Sequence, residues 1–383
     1  MWKRVLSIVL VLGLVVGFFS GCKSKTATTI KIGLGMPLTG TSGVEGTAIK
    51  RAAEMAVKDV NDAGGINGKM LELVEMDDVS DPKQSANIAN SFVADPGIIA
   101  ALGGYNSVCV LSAAPIYNKA HLTQIGVGCS SPYVTTAGPY TFRVWNSDVY
   151  RGSFDLQILL DAGYKKVGIM YQNDDMGRGG LKVAQDMLGK VGLKPLVTEG
   201  FILGETRDFN TMITKMKNAG CDSVFCLADE NELTAFAVQV AQQNWHPFIS
   251  ATGAYNPNVI KLGGKAVEGM VGDAYFDPDK LPASITDFFA KMNTAYAKNG
   301  EVIVADPESP CSYSAIQMLV AALKSGATTR EEVNAYLTTL TNFPALVGTL
   351  SFDVNGDCKI PLVRIVIKDG AYHLYTGPDS HAF

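Results

Sequence analysis

The sequence predicts an α/β protein built as two similar lobes, each a parallel sheet flanked by helices. Three observations carry that expectation. Short apolar runs alternate with amphipathic helical stretches. The alternation restarts after Asn146 with a second set of the same kind. The chain has 383 residues, 47% of them hydrophobic, which is enough for two cores of ordinary size.

The elements follow in order. Residues 30–35 read as a strand that runs into Gly33 and Gly35. A helix over 46–62 puts Ala48, Ala52, Met55, Ala56 and Val60 on one face, and Gly64-Gly65 stops it. Strands over 70–76, 98–102 and 122–127 alternate with helices over 83–94, begun by Ser80-Asp81-Pro82, and 107–119. This rhythm specifies parallel pairing with helices on the sheet faces. The second half repeats it, with helices over 149–162, 179–191, 207–219 and 230–243 and strands over 167–171, 195–200, 222–227 and 248–251. The tail holds a strand-like 269–276, helices over 284–297, 313–324 and 330–339, an extended 349–352, and a hairpin turning at Asp369-Gly370. Residues 30–146 with 276–352 are expected to form lobe one. Residues 147–275 with 353–383 are expected to form lobe two. The chain then crosses between lobes three times, near Asn146, Tyr275 and Phe352.

The start of the chain reads as a targeting segment. Lys3 and Arg4 precede an uncharged run over 5–19. That run falls short of the roughly 20 residues a transmembrane helix needs and suits a signal h-region. Phe19-Ser20-Gly21-Cys22 resembles a lipobox. Residues 1–22 are thus a lipoprotein signal peptide ending in an acylated Cys22, and 23–29 a polar tether. The expected location is extracytoplasmic, lipid-anchored to the cell membrane. The alternative is plain signal cleavage nearby.

Charged residues make up 18% and the net charge is −5, more negative still without Lys3 and Arg4. Such a chain offers no footing for nucleic acid. Six further cysteines invite a disulfide reading, but an extended 221–226 holds Cys221 and Cys226 about 16 Å apart, beyond disulfide reach. Cys109 and Cys129 are the pair that neighbouring loops bring together. Buried free thiols are the favoured expectation.

The chemistry of catalysis is missing. None of the four histidines sits at metal-ligand spacing. There is no Gly-x-Ser-x-Gly elbow. Leu38 breaks the dinucleotide fingerprint begun by Gly33-x-Gly35, and Gly68-Lys69 is not a P-loop. Neither an enzyme nor a cofactor is expected. What remains are polar loops over 102–107 and 127–132 at the carboxyl ends of strands, where open α/β sheets bind ligands. Their glycines let backbone approach a ligand, and Ser107 opens a helix whose N-terminus attracts a carboxylate. Ser107 and Ser130 equally suit plain caps and turns.

Several motifs then point one way together. Pro37-Leu38-Thr39-Gly40 follows the first strand. Asn61-Asp62-Ala63-Gly64-Gly65-Ile66-Asn67-Gly68 follows the first helix. Asp77-Asp78-Val79-Ser80-Asp81-Pro82-Lys83-Gln84 follows the second strand. Asp174-Asp175-Met176-Gly177-Arg178-Gly179 and Gly204-Glu205-Thr206-Arg207-Asp208-Phe209 lie in the second half. This series resembles the leucine/isoleucine/valine-binding proteins of the type I periplasmic binding class, over residues 30–375. The resemblance implies Rossmann-like lobes, three hinge strands and a cleft that shuts on ligand. It implies that Ser107 and Ser130 hold an amino-acid carboxylate and that the Gly128 carbonyl, with Cys129 beside it, faces the ammonium.

Other positions depart from the family. Its ammonium-binding glutamate falls at Thr252, a loop tyrosine at Glu45 or Val44, and two lobe-two aromatics at Met176 and Asp229. Asp229, Glu230 or Asp148 is then expected to take the ammonium. Tyr105, Tyr171 and Tyr255 are candidate walls. Glu45 and Asp229 either favour a polar or cationic side chain or face solvent at the rim. The implied function is a monomeric solute-binding protein of an ABC importer, working with permease subunits on an amino acid or similar small carboxylate. A sensor component of the same fold is the alternative, and a secreted hydrolase a more remote one.

Overall fold

The computed structural model describes residues 29–298 and 302–377. The leader, Cys22 and the tether up to residue 28 lie outside the described residues. Two main sheets organise the rest. The first contains β1 (Ile30–Met36), β2 (Leu71–Asp77), β3 (Ile98–Gly103), β4 (Thr123–Gly126) and β5 (Thr141–Arg143). They pair in the order β2-β1-β3-β4-β5 and are parallel throughout. The remaining strands are β6 (Val167–Gln172), β7 (Val197–Phe201), β8 (Ser223–Leu227), β9 (Phe248–Ala251), β10 (Val271–Ala274), β11 (Phe343–Ala345), β12 (Gly348–Leu350), β13 (Val363–Lys368) and β14 (Ala371–Leu374). Seven of them form the second sheet, in the order β14-β13-β10-β9-β8-β6-β7. It is parallel except for β13 and β14, which run antiparallel to their neighbours. β11 and β12 form a small separate hairpin.

Period-two alternation decides how the first sheet packs. Ile32, Leu34 and Met36 point into one core with Ile49, Ala52 and Ala56 of the helix Gly43–Asp62. Gly33 and Gly35 face the other side, where the helix Pro82–Ala94 lies. A Cβ on Gly33 would stand 2.6 Å from the Phe92 ring, so the glycine sets how closely that helix can pack. Asp81 fixes the start of the same helix by accepting the Gln84 N–H at 2.8 Å, with Pro82 at its first position.

The tail divides between the two sheets. The helices Ala283–Tyr296, Glu308–Lys324 and Arg330–Thr338 bury Ile285, Ile316, Leu319 and Val333 in the same cluster as Ile32 and Leu34. β13 and β14 return to the second sheet. Cys358 and Ile360, expected with lobe two, belong instead to the first core, and Asp357 pairs with the fully buried Arg143 at the end of β5. The third crossing therefore falls after Ile360. The reason is local: the buried guanidinium takes its countercharge from Asp357 and carries that segment with it.

The three crossings are fastened to one another. The Asn146 side chain donates to the Ile360 carbonyl at 2.8 Å and accepts the Ile360 N–H at 2.9 Å. The Asn146 N–H donates to the Tyr275 hydroxyl at 3.2 Å, and the Tyr275 ring packs edge-on against Trp145, 4.8 Å between centroids.

Three features differ from the sequence expectation. β5 and the short helix Pro257–Gly263 were not anticipated, and the helix expected from 313 starts at Glu308. Pro310 fits the first helical turn, where its missing N–H has no partner to lose. Cys109, Cys129, Cys221, Cys226, Cys311 and Cys358 are all free and buried. Among the described residues, no helix is long and apolar enough to cross a membrane.

Candidate functional site

Loops at the carboxyl ends of β3, β4, β6, β8 and β9, with the start of the helix Glu308–Lys324, converge on one cleft between the two sheets. Parallel strands end on the same side of their sheet, so the loops that follow them gather there.

The loops that follow β3 and β4 are neutral. The loop after β3 carries Tyr105, Asn106 and Ser107, and Ser107 opens the helix Ser107–Lys119. The Ser107 hydroxyl accepts the Ser131 N–H at 3.1 Å, which leaves its own proton for another acceptor. The loop after β4 contributes Gly128 and Ser130. Gly128 has φ 94°, and a Cβ there would lie 2.2 Å from the Tyr105 ring, so the two loops close on each other only through this glycine.

The opposite wall is acidic. Asp174 caps the helix Asp175–Lys190, accepting the Gly177 N–H at 3.0 Å. Gln172 donates its amide N–H to the Asp174 carboxylate. Its carbonyl oxygen is buried without a partner. Asp229 stands at the N-cap of the helix Glu230–Gln242 and accepts no capping hydrogen bond there. Glu230 adds to this wall, and Glu308 adds an acid to the cleft from the tail helix on the first sheet. Thr252 and Met176 lie between these acids on the same wall.

The sequence-predicted residues are distributed as follows. Tyr105, Ser107, Gly128, Ser130, Met176, Asp229 and Thr252 line the cleft together. Glu45 is buried at its edge, where its carboxylate accepts from Asn256 at 3.5 Å and hydrogen-bonds Glu230 of the other lobe. Of the two alternatives for Glu45, the solvent-facing one does not hold. Cys129 lies behind the wall, its side chain packed with Val110 and Val134. Asp148 also lies behind the wall, fully buried, and takes the Ser130 hydroxyl proton at 3.0 Å. Tyr171 packs into the second lobe's core, while Tyr255 lines the cleft.

Sequence reasoning missed Trp145, Arg151, Gln172, Asn256 and Glu308. Gln172 was legible as a strand end, and Glu308 was hidden by the misplaced helix start.

Charge dominates this site. Arg151 is the one basic residue in the lining, and Asp273 already holds it at 2.8 Å. Burial, with Asp174, Glu45 and Glu232 nearby, pushes the Asp229 carboxyl up to about 8. Burial pushes Asp148 up to about 7, against the pull of Arg151 and the Ser130 hydroxyl. Glu230 and Glu308 are driven well above the usual carboxylate range by burial and by Glu45, Asp229 and Asp306. Several of these acids sit in first helical turns, where the dipole favours an anion by about 0.3–1 kcal/mol. That is small against the several kcal/mol it costs to desolvate a carboxylate. The helices do not neutralise the cleft.

Residues 29–360 match the family model described as periplasmic binding protein. The Leu/Ile/Val-binding protein homolog 1 of Brucella suis is 33% identical over 339 residues, covering 87% of this chain and 88% of that one. The leucine-, isoleucine-, valine-, threonine-, and alanine-binding protein of Pseudomonas aeruginosa is 28% identical over 88% of this chain and 89% of its own length. In structure, the leucine binding protein LivK of Thermotoga maritima superposes with TM-score 0.81 at 22% identity, covering 92% of this chain and 99% of that one. A Rhodopseudomonas palustris solute binding protein in complex with 4-hydroxybenzoate superposes with TM-score 0.80 at 17% identity, over 91% of this chain and 95% of its own. Two helix-flanked sheets around a shared cleft, together with these similarities along almost the whole described chain, make this protein a member of the type I periplasmic binding proteins, in the branched-chain amino acid group.

Proposed function

We propose that the protein is an extracytoplasmic solute-binding component of an ABC importer that captures an amino acid between its two lobes. The observation that carries this reading is that the donor loops after β3 and β4 share one cleft with the acids that follow β6 and β8. Ser107, at a helix N-terminus with its hydroxyl proton uncommitted, suits a carboxylate. Asp229, which caps nothing and lies on the opposite wall, suits an ammonium. A zwitterion spanning both touches both lobes only when they are closed. It therefore stabilises the closed state, which permease subunits are then able to recognise.

Ser130 has a specific part in this reading. Its proton goes to Asp148, so a ligand carboxylate receives a hydrogen bond from Ser130 only when Asp148 is protonated and reverses the bond. With Asp148 titrating near 7, that form is accessible at neutral pH. The acidic wall disfavours an aromatic acid as ligand, since such a ligand brings no positive group to it.

The lobe assignment, Cys22 as lipid anchor, the tether over 23–29 and a monomeric state belong to the same proposal. Trp145 lines the cleft beside the crossings, so its fluorescence reports occupancy and closure. Titration with the natural amino acids should give a saturable change with at least one of them, weakened by Ser107→Ala. No change with any, in folded protein, contradicts the reading. Labelling with a radioactive fatty acid should mark the wild type and leave Cys22→Ser unmarked.

A further inference from the structure

We propose that the ligand carries a second cation on its side chain, seated among Glu45, Glu230 and Glu308, so that the substrate class is the dibasic amino acids. This rests on the amino-acid reading above.

The three carboxylates come from three separate parts of the chain. Glu45 is in the first turn of the helix Gly43–Asp62. Glu230 opens the helix after β8. Glu308 opens the tail helix that packs on the first sheet. They are 4%, 6% and 7% exposed. None has a Lys, Arg or His at ion-pair distance among the described residues. Glu45 and Glu230 touch each other, and Glu308 touches Asp306, which already accepts the Ser309 N–H at 2.6 Å and its hydroxyl at 2.9 Å.

A neutral amino acid brings one positive group, and Asp229 alone is enough to meet it. Three further buried acids are left over. Buried charge without a countercharge is costly, so such acids either hold protons or receive a cation. The driven-up titration of Glu230 and Glu308 is what either outcome requires of the protein by itself.

A second observation separates the two outcomes. The Gln172 side chain, 2% exposed, lines the cleft with its carbonyl oxygen unpartnered. Its orientation is not arbitrary: the amide N–H faces Asp174, and a carboxylate only accepts. Protonating Glu230 and Glu308 leaves this acceptor unmet. A ligand ammonium with three donors, or a guanidinium with five, brings donors for the carboxylates and for Gln172. Tyr105 lines the same cleft, which adds an aromatic ring to it.

The test is calorimetric titration of the protein, unfolded and refolded to strip carried ligand, with L-arginine, L-lysine and L-norleucine, the last a neutral side chain of similar length. Arginine or lysine should bind at least tenfold tighter than norleucine. In Glu230→Gln/Glu308→Gln, that preference should fall to threefold or less. A wild type that binds norleucine as tightly as the basic pair overturns the proposal and leaves the amino-acid reading standing. Binding of none of the three or of any other amino acid by folded wild type overturns both. Because the wild-type comparison needs no variant, a misfolded double mutant does not blunt the test.

Discussion

The two walls of the cleft differ in kind, and the difference divides donors that suit an anion from acceptors that suit a cation. The wall from β3 and β4 is made of hydroxyls, glycines and backbone N–H groups at the start of the Ser107–Lys119 helix. It offers donors and no net charge. The wall from β6, β8 and β9 carries Asp174, Asp229 and Glu230, and its one basic residue, Arg151, is taken by Asp273. In the function proposed above, the first wall takes the ligand carboxylate and the surplus acid of the second takes its positive groups.

Breaking the acidic wall should have the largest effect. Asp229→Asn should weaken amino-acid binding by about thirtyfold or more, the scale of removing one partner of a buried charge pair, as read by calorimetry. A loss under threefold would move the ammonium to another acid. On the neutral wall, Ser107→Ala with Ser130→Ala should cost at least about tenfold in affinity. Unchanged affinity would place the carboxylate elsewhere.

Gly128→Ala tests how the neutral wall is held together. The new Cβ meets the Tyr105 ring at a positive φ, so the variant should lose about 1–3 kcal/mol of stability. A denaturant midpoint equal to wild type would show that the two loops part without strain.

A smaller, graded effect sharpens the comparison through pH. Asp306, Asp148 and Asp229 are raised to about 6, 7 and 8 from an ordinary value of 3.8, and Glu230 and Glu308 are raised as well. The folded chain therefore holds more protons than the unfolded chain across this range, and stability falls as pH rises through it. The groups shifted down, such as Asp77, Asp95 and Asp279, act below this window. Without added ligand, the melting temperature should rise as pH drops from 8 to 5.5, and saturating L-arginine should flatten the slope. A melting temperature that falls over that range would mean the acids are compensated in a way the geometry does not reveal.

Much of the fold was legible because it is written in period and punctuation. Strands over 30–35 and 248–251 and the helix from Ser107 follow directly from apolar runs bounded by glycine or a cap residue. The failures have physical causes. β5 is three residues long, too short to show a period. The helix expected from 313 starts five residues earlier, at Glu308. Residues 353–360 were placed with the wrong lobe because the Arg143–Asp357 pair joins positions distant in sequence. In the site, Ser107 and Ser130 were readable as residues that follow strands, and Asp229 only through the family resemblance. The burial of Glu45 was not, because it depends on Asn256 and Glu230, which reach it from the other lobe.

The measurement that tests the central claim most directly is a thermal melt of refolded protein with L-arginine and with agmatine, its decarboxylated counterpart. A ligand at 100 times its dissociation constant stabilises the fold by about 2.7 kcal/mol, a shift of several degrees. A large shift with arginine and little with agmatine is the predicted result, because only arginine reaches both walls. A shift with agmatine as large as with arginine would contradict the account, since the neutral wall would then hold no carboxylate.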